Sequence, residues 1–389
     1  MIGEALKSYA QLYKHMESLI TPEAAFVVFQ KLADTYSPTL SARYTRGEVV
    51  RSILEESKSE DILGDNLDLD LNYRMTGNVC ITLGERSRKP IWAFAHLDNI
   101  SYLTGPRSNG VYPLTAFHEP RITPGERNGV ALLYDERSKT LVSAAHGMIV
   151  TGENSNNSVF KTDTTDLPPA TRVVFQTEAE WDKSTGMLYG SVDDAFGCAA
   201  LVMCAIALSS FDVDALIVLT DEEEGVVGVG NTAFARGSQR LISRTKPNEL
   251  PAIMSVTDLH ERKPSIDDNG EVIAVPGCGD GALFAGFASG TRGGVTPPHV
   301  LSAIREVSGL LNEKGIPMSE NQSYVSRSDC VSAMMATQNV VLMGFPGAYS
   351  HFDKIPRAHI DDLVSLSKSL AVLIATAQSS DWRKHYLID

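Results

Sequence analysis

The sequence predicts an α/β fold in which helices flank a mixed, mainly parallel sheet and a small β-rich domain is inserted. From about residue 185 onward, strand-length apolar runs alternate with helical runs, the order typical of a mainly parallel sheet. Residues 1 to about 100 hold helical patterns followed by two strand-like runs. Between these regions the alternation stops, and turn-forming residues separate short β-like runs. We therefore expect an α/β domain formed by residues 1–100 and 185–389, and an inserted β-rich domain formed by residues 101–184.

Local patterns place the individual elements. In the first twenty residues, Leu6, Tyr9, Tyr13, Met16 and Ile20 recur at three- and four-residue spacing, which predicts an amphipathic helix. The strand-like runs of the α/β domain are TGNVCITLG (76–84), KPIWAFAHLD (89–98), ALIVLT (215–220), AIMSVT (252–257) and VVLMGF (340–345). Its longer helical runs cover residues 195–210, 297–315 and 360–378. The β-like runs of the insert include GVALLYD, TLVSAA and TRVVFQ.

Composition and charge limit the class of protein. The 389 residues suffice for two domains, and 43% hydrophobic with 21% charged residues is ordinary for a folded protein. The net charge of -14 and the lack of a Lys/Arg-rich tract argue against nucleic acid and anionic membrane surfaces as partners. The first twenty residues do not resemble a signal peptide, and no apolar run approaches the roughly 18 residues that span a bilayer. We expect a soluble, cytoplasmic protein.

The cysteines predict neither disulfide bonds nor a thiolate metal site. They are scattered, odd in number and without CxxC spacing, so we expect small buried residues. The five are Cys80, Cys198, Cys204, Cys278 and Cys330.

Residues that can bind a metal ion follow the ends of several predicted strands. In open α/β sheets, functional sites form in the crevice outside the carboxyl ends of the strands. Distant segments would therefore deliver imidazole and carboxylate groups to one edge of the sheet. These groups are His96 and Asp98 after PIWAFA, the acidic run 221–224 after ALIVLT, Asp258 after AIMSVT, His351 in the loop after VVLMGF, and Asp193 with Asp194 where the helix 195–210 starts.

Taken singly, each of these residues has an ordinary structural explanation. A histidine after a strand is often structural, an acidic run can be a solvated loop, and an aspartate pair can cap a helix. Together they indicate a metal site, because several carboxylates in one place repel each other and raise each other's pKa values. Divalent cations remove that repulsion. A mixture of imidazole and carboxylate ligands suits zinc, with cobalt and manganese as alternatives.

Other catalytic motifs are missing or misplaced. The chain contains no HExxH, no GxSxG and no GxxxxGK[ST] sequence. Residues 228–233 match GxGxxA, but the acidic run separates them from the preceding strand, which argues against dinucleotide binding.

In combination, these segments resemble the dizinc aminopeptidases of the glutamyl and tetrahedral-aminopeptidase type, which are co-catalytic metallopeptidases. AHLDNISYL resembles the family's AHxDE segment, SVDDAFG its LDDRxG, TDEEEGVVG its TxEEVGxxG, VTD its VD ligand segment and AYSHF its RYxHS. TGNVCITL, CGDGALF and RSDCVSAMMATQNVVLMGFP are similar to further family segments. The resemblance runs from about residue 40 to 375, with five motifs in the family's order. It implies a zinc-exopeptidase-like fold.

The resemblance also implies a set of metal ligands. By position, Asp193 would bridge two divalent ions. His96 and Asp258 would complete one ion's ligands, and Glu223 and His351 those of the other.

By the same resemblance, Glu222 would be the general base and Asp98 would orient His96, since ligating imidazoles need such support. This register rests on the two glycines of the run 225–228 matching the family's glycines. A shift of one residue would make Glu223 the base and Glu224 the ligand, and the sequence leaves both registers open.

The sequence departs from the family pattern at several positions. Asn99 replaces a glutamate, Ala195 replaces an arginine, and Glu224 replaces an apolar residue. The segment Gly347-Ala348-Tyr349 lacks the family's arginine. None of these changes removes an expected ligand, but they leave substrate preference and assembly open.

The expected function is that of a dimetal aminopeptidase acting on short peptides. The resemblance implies that water activated between the two ions hydrolyses the N-terminal peptide bond, with a glutamate as the general base. It also implies a homo-oligomer, which is often a dodecamer. A related dimetal amidohydrolase, deacylase or carboxypeptidase-like peptidase is the alternative, because such folds share the metal centre. A catalytically silent metal-binding assembly protein is the alternative outside the enzymes. The preferred N-terminal residue cannot be predicted.

Overall fold

The computed structural model contains seventeen strands and nine α-helices within its described residues. It describes residues 3, 6–118, 123–152, 157–225, 234–261, 277–288 and 293–387. The strands are β1 (Leu67–Asp70), β2 (Val79–Leu83), β3 (Ile91–His96), β4 (Tyr102–Thr104), β5 (Tyr112–Ala116), β6 (Gly125–Asp135), β7 (Thr140–Thr151), β8 (Val159–Lys161), β9 (Arg172–Phe175), β10 (Glu180–Asp182), β11 (Met187–Tyr189), β12 (Ala215–Thr220), β13 (Ile253–His260), β14 (Ala282–Ala285), β15 (Met318–Glu320), β16 (Val340–Pro346) and β17 (Arg357–His359). The helices are α1 (Leu12–Leu19), α2 (Pro22–Ala33), α3 (Arg46–Ser59), α4 (Val192–Leu208), α5 (Arg236–Ser243), α6 (Pro298–Glu313), α7 (Cys330–Ala336), α8 (Ile360–Ala377) and α9 (Ser380–Tyr386).

An eight-stranded mixed sheet forms the centre of the α/β part. Its strand order is β1-β2-β12-β3-β13-β16-β14-β15. The four middle strands, β12, β3, β13 and β16, are parallel to one another. Their carboxyl ends therefore lie at the same edge of the sheet, where Thr220 pairs with His96 and Asp258 pairs with Gly344. The expected α/β fold with a mainly parallel sheet is confirmed.

The middle strands are long apolar runs because helices cover both faces of the sheet. Every residue of β3 is buried, and alternate side chains point to opposite faces. Ile91 and Ala93 pack in the core on one side, and Trp92 and Phe94 pack in the core on the other. Helix α4 lies within the first core, which explains why its sequence is apolar on almost every side.

The N-terminal segment differs from the single helix that its spacing predicts. Lys7–Tyr9 forms a short 3₁₀ helix, and the α-helix starts only at Leu12. Leu6, Tyr9, Met16 and Ile20 are buried as expected, and Tyr13 packs at the edge of the same core. The apolar pattern therefore identified the buried face, although the backbone changes from one helix type to the other along it.

The middle of the chain forms a closed barrel of six strands in the order β4-β5-β8-β7-β6-β9. All six lie within residues 101–184. The barrel has a core of its own that includes Tyr112, Ile149 and Phe160, and Phe352 from the C-terminal part of the chain joins that core. The next strand, β10, pairs instead with β11, which pairs with β17, so this small sheet connects the end of the insert to the α/β part.

Two further expectations can be compared with the described part of the chain. All five cysteines lie within it, none forms a disulfide, and all but Cys278 are buried. None of the described helices is long and apolar enough to cross a membrane.

Candidate metal centre

The candidate ligands lie where the parallel strands end. His96 is the last residue of β3, and the acidic run begins directly after Thr220, the last residue of β12. Asp258 lies inside β13, because that strand continues to His260 beyond the predicted run. Asp193 lies in the first turn of α4, and His351 lies in the loop after β16.

These side chains come together at one place. Three groups of ligand atoms each lie within 4.8 Å of one another. The His96 Nε2 atom lies 3.1 Å from Asp193 Oδ1 and 3.9 Å from Glu223 Oε2. His96, Asp193 and Glu224 each belong to two groups, and a carboxylate shared in this way can offer one oxygen to each of two ions. The groups are His96, Asp193 and Asp258; His96, Glu223 and Glu224; and Asp193, Glu224 and His351.

Glu222 and Glu224 occupy different environments. The Glu222 Oε1 atom accepts a hydrogen bond of 2.6 Å from Arg240 Nη2, and Glu222 belongs to none of the three groups found among the described residues. Glu224 belongs to two of them, and its Oε2 atom lies 3.8 Å from His351 Nε2. Among the described residues, Glu223 and Glu224 therefore lie with the other candidate ligands, and Glu222 is held apart from them by Arg240.

The backbone of the acidic run supports this arrangement. Glu222 has a φ of +65°, in the left-handed region that residues with a side chain seldom adopt. A Cβ atom at Gly225 would lie 2.1 Å from Thr39 Cγ2, so the chain needs glycine directly after the run. Gly228, on which the predicted register also rests, and the GxGxxA sequence (228–233) lie outside the described residues.

The Asp98 carboxylate holds the backbone of the acidic run in place by hydrogen bonds. Its Oδ1 atom accepts a hydrogen bond of 3.1 Å from the Glu223 N–H, and its Oδ2 atom accepts one of 3.1 Å from the Glu224 N–H. The Thr39 hydroxyl donates a further bond of 2.7 Å to Oδ2. The His96 ring donates from Nδ1 to the Asp98 main-chain carbonyl at 3.0 Å, and the Asp98 carboxylate lies 3.7 Å away. Asp98 therefore fixes both the imidazole and the two glutamates.

The second aspartate of the pair anchors the start of α4. Asp194 follows Asp193 across a cis peptide bond. Its carboxylate accepts hydrogen bonds from the His96 N–H at 3.3 Å and from the Gly197 N–H at 3.0 Å. A Cβ atom at residue 197 would lie 2.4 Å from Asp194 Oδ1, so this contact requires Gly197. The helix start and the end of β3 are thus joined directly beside the candidate ligands.

Burial shifts the protonation of the whole cluster. It raises the pKa values of Asp194, Glu223 and Glu224 well above their usual range, and nearby carboxylates raise them further. It raises the pKa of Asp258 to about 7. For His96, burial lowers the pKa, but Glu223 and Asp193 together raise it well above its usual value. Divalent cations would relieve this repulsion, so the donor set fits such ions.

A buried guanidinium lies behind the carboxylates. Arg46 is fully buried, and burial lowers its pKa only to about 10, so it stays charged at neutral pH. It donates to the main-chain carbonyl of Leu97 at 3.0 Å and to the Ser191 hydroxyl at 3.2 Å. It therefore connects the end of β3 to the turn that delivers Asp193.

Sequence reasoning missed several of these supporting residues. Arg46, Thr39 and Arg240 lie outside the motifs, and nothing in the sequence distinguishes them from surface residues. In the sequence, Asn99 stands out only as a departure from the family pattern. Its side-chain amide donates to the Ser191 hydroxyl at 2.9 Å and to the Asp193 main-chain carbonyl at 3.4 Å, so it too supports the site.

Comparison with known proteins gives similar structures but no similar sequence. No protein-family model and no curated protein matches the chain. An aminopeptidase from the archaeon Desulfurococcus kamchatkensis has a TM-score of 0.71 at 17% identity, covering 94% of this chain and 98% of its own. A TET aminopeptidase from a marine sediment Thaumarchaeota archaeon has a TM-score of 0.71 at 14% identity, covering 93% and 99%. The Pyrococcus horikoshii TET1 peptidase, which can assemble into a tetrahedron or a large octahedral shell, has a TM-score of 0.67 at 17% identity, covering 90% and 99%. The chain has the fold of the TET aminopeptidases.

Proposed function

We propose that the protein is a metallo-aminopeptidase that hydrolyses the N-terminal peptide bond of short peptides. One observation carries the proposal: two groups of ligand atoms share Asp193 at the carboxyl edge of the parallel strands. Two ions joined by a common carboxylate are typical of hydrolases that attack a carbonyl with water. Similar solved structures are named as aminopeptidases, which favours peptides over other substrates with a carbonyl group.

We assign each ion to one of these two groups. His96, Asp193 and Asp258 would hold one, and Asp193, Glu224 and His351 would hold the other. Zinc is the proposed metal because imidazole and carboxylate ligands suit it, and cobalt and manganese are the alternatives. When bound, the ions would polarise the peptide carbonyl and lower the pKa of water.

Glu223 is the proposed general base. Its carboxylate lies beside His96, 3.9 Å from Nε2, and its backbone is fixed by Asp98. It would take the proton of the attacking water and then pass this proton to the leaving amine. Glu222 is unsuited to this role because its carboxylate is held by Arg240.

A homo-oligomer is part of the proposal. The TET1 peptidase, with a similar fold, can assemble into a tetrahedron or a large octahedral shell, and another structure of similar fold is a dodecamer. The barrel is the proposed assembly module, because the sheet and helices of the α/β part already form a continuous core without it.

The substrate class is tested by comparing two kinds of compound. The zinc-loaded protein should hydrolyse aminoacyl-p-nitroanilides, and in a mixed peptide library it should remove residues from the N-terminus, as detected by mass spectrometry. N-acyl amino acids serve as the control, since they lack a free amine. Hydrolysis of the N-acyl compounds alone would identify a deacylase instead.

The role of each glutamate is tested by three variants. Glu223→Gln should retain both ions and lose about 10²–10⁴ in kcat, the usual contribution of a general base. Glu224→Gln should lose one ion, because it removes a ligand. Glu222→Gln is the matched control and should retain both ions and most activity. Metal content is measured by plasma mass spectrometry, and a Glu222→Gln variant that keeps both ions but loses activity like a base variant would support the other register.

Metal removal should invert the pH dependence of stability. In the metal-free protein the pKa of Asp258 is raised to about 7, against an ordinary value of about 3.9. Between about pH 4 and about pH 7 the folded chain holds a proton that the unfolded chain has released, so the stability falls across this window as the pH rises and then stays level. In the zinc-loaded protein protons compete with the ion, so stability is lost as the pH falls.

Thermal unfolding at about pH 5.5 and about pH 8, with EDTA and with zinc, measures this inversion. The thermal stability of the metal-free Asp258→Asn variant should depend less on pH than that of the metal-free natural chain. Equal pH dependence with and without zinc would contradict the assignment of these residues as ligands.

Assembly is tested by removing the barrel. The full chain should elute in size-exclusion chromatography with light scattering at a mass many times its 42.1 kDa. Replacing residues 102–175 with a short linker should leave a folded α/β part with a smaller assembly. Circular dichroism checks that the variant is folded, and an unchanged mass for a folded variant would exclude the barrel as the assembly module.

A further inference from the structure

The loop that carries His351 reaches from the α/β part to the barrel. Its base is closed by two backbone hydrogen bonds of 3.1 Å between Ala348 and Arg357. Near the base, the Ser350 N–H and hydroxyl donate to the Glu261 carboxylate at 3.2 and 3.1 Å. The rest of the loop projects beyond these contacts toward β6 and β9.

The barrel holds the tip of this loop by two kinds of contact. The Arg127 guanidinium, on β6, donates from Nε to the Phe352 carbonyl at 2.6 Å. The Phe352 ring stacks on Phe175 of β9, with centroids 4.8 Å apart and planes 17° from parallel. The Thr123 hydroxyl donates to the Asp353 carboxylate. The two residues that follow His351, Phe352 and Asp353, are therefore held by residues of the barrel and of the segment before β6.

The barrel also contacts the candidate ligand itself. His118 follows β5, and its buried ring meets the His351 ring edge-on at a centroid distance of 6.0 Å. The His118 ring is fixed in turn, because Nδ1 donates to the Ser101 carbonyl at 2.8 Å.

The loop conformation needs such external support. Tyr349 and Phe352 have φ values of +66° and +62°, which are unfavourable for residues with a side chain. Such conformations persist where the surrounding structure holds them. The segment 352–355 and residues 125–128 of β6 both line a cavity of ≈ 870 Å³. The protein therefore does not pack closely against the whole of this segment.

Arg127 is itself well placed to hold the loop. Besides the Phe352 carbonyl, its guanidinium donates to the Thr123 carbonyl at 3.3 Å and to the Thr151 hydroxyl at 3.0 Å. Nη2 also donates to the Thr123 carbonyl, at 3.2 Å. These bonds fix the side chain to β7 and to the segment before β6, with Nε directed at the loop.

We propose that Arg127 is a positioning residue through which the barrel sets His351 for one of the two metal ions. The inference rests on the proposed function, since it concerns the ion assigned to Asp193, Glu224 and His351. The other ion's ligands, His96, Asp193 and Asp258, come from β3, α4 and β13 and do not depend on the loop. The barrel therefore controls one ion position selectively.

Arg127→Met tests the proposal, because it keeps an apolar stem and removes the hydrogen-bond donors. Metal-free natural protein and variant are titrated with Zn²⁺ by calorimetry. One site should keep its affinity, and the other should weaken about 10–100-fold, the usual effect of removing support from a ligand. Arg127→Lys should recover part of the loss, since an ammonium group can still donate one bond to the Phe352 carbonyl.

Thr140→Val is the matched control. It removes another contact between barrel and α/β part, the hydrogen bond of 2.7 Å from the Thr140 hydroxyl to the Tyr44 carbonyl, which lies away from the loop. Both zinc sites should keep their affinity in this variant. If Arg127→Met does not fold, Phe175→Leu removes the ring stacking instead and should weaken the same single site.

Two results would overturn the inference: unchanged affinity at both sites in the folded Arg127→Met or Phe175→Leu variant, or equal weakening of both sites. Zinc binding and peptide hydrolysis by the natural chain distinguish failure of this inference from failure of the proposed function. If the natural chain binds no zinc and releases no N-terminal residues, the proposed function fails. If it binds two ions and the variant lacks selectivity, only the role of Arg127 fails.

Discussion

The burial of many carboxylates at one edge of a parallel sheet is the constraint on which the site depends. Burying a carboxylate in an apolar interior is unfavourable unless it is paired, hydrogen-bonded, protonated or bound to a metal. Within the described residues, one buried guanidinium, Arg46, lies behind the cluster, and Arg240 pairs with a single member of it. The remaining negative charge is what the two proposed cations would neutralise. The buried carboxylates of this cluster are Asp98, Asp194, Asp221, Glu222, Glu223, Glu224, Asp258 and Asp329.

Hydrogen bonds divide these carboxylates into a supporting set and a set facing the site. Asp98 and Asp194 accept from backbone N–H groups, which fixes the segments carrying the glutamates and Asp193. Asp221 joins the distant segment around residue 40 to the acidic run, because it accepts from the N–H groups of Leu40 and Glu222. With the supporting carboxylates occupied in this way, the candidate ligand atoms of the other set are held close together by the protein itself. Such preorganisation is what a precise metal site requires.

The sequence allowed the strands and the ligand segments to be predicted, because buried parallel strands are continuous apolar runs and sites follow their carboxyl ends. The register of the acidic run could not be predicted, since three consecutive glutamates look alike in sequence. The register proposed above rests on the ion pair between Glu222 and Arg240, which is eighteen positions away. Arg46 and Arg127 were also missed, because their roles come from tertiary contacts that no local pattern encodes. Closure of the insert into a barrel likewise depends on long-range strand pairing.

The proposed two-metal centre is tested most directly by anomalous diffraction at the zinc absorption edge on crystals of the zinc-loaded protein. We expect two peaks in each subunit, with Asp193 between them. One peak should lie within bonding distance of His96 and Asp258, and the other within bonding distance of Glu224 and His351. A single peak, or a peak bound by Glu222 in place of Glu224, would show that the proposed ligands are wrong.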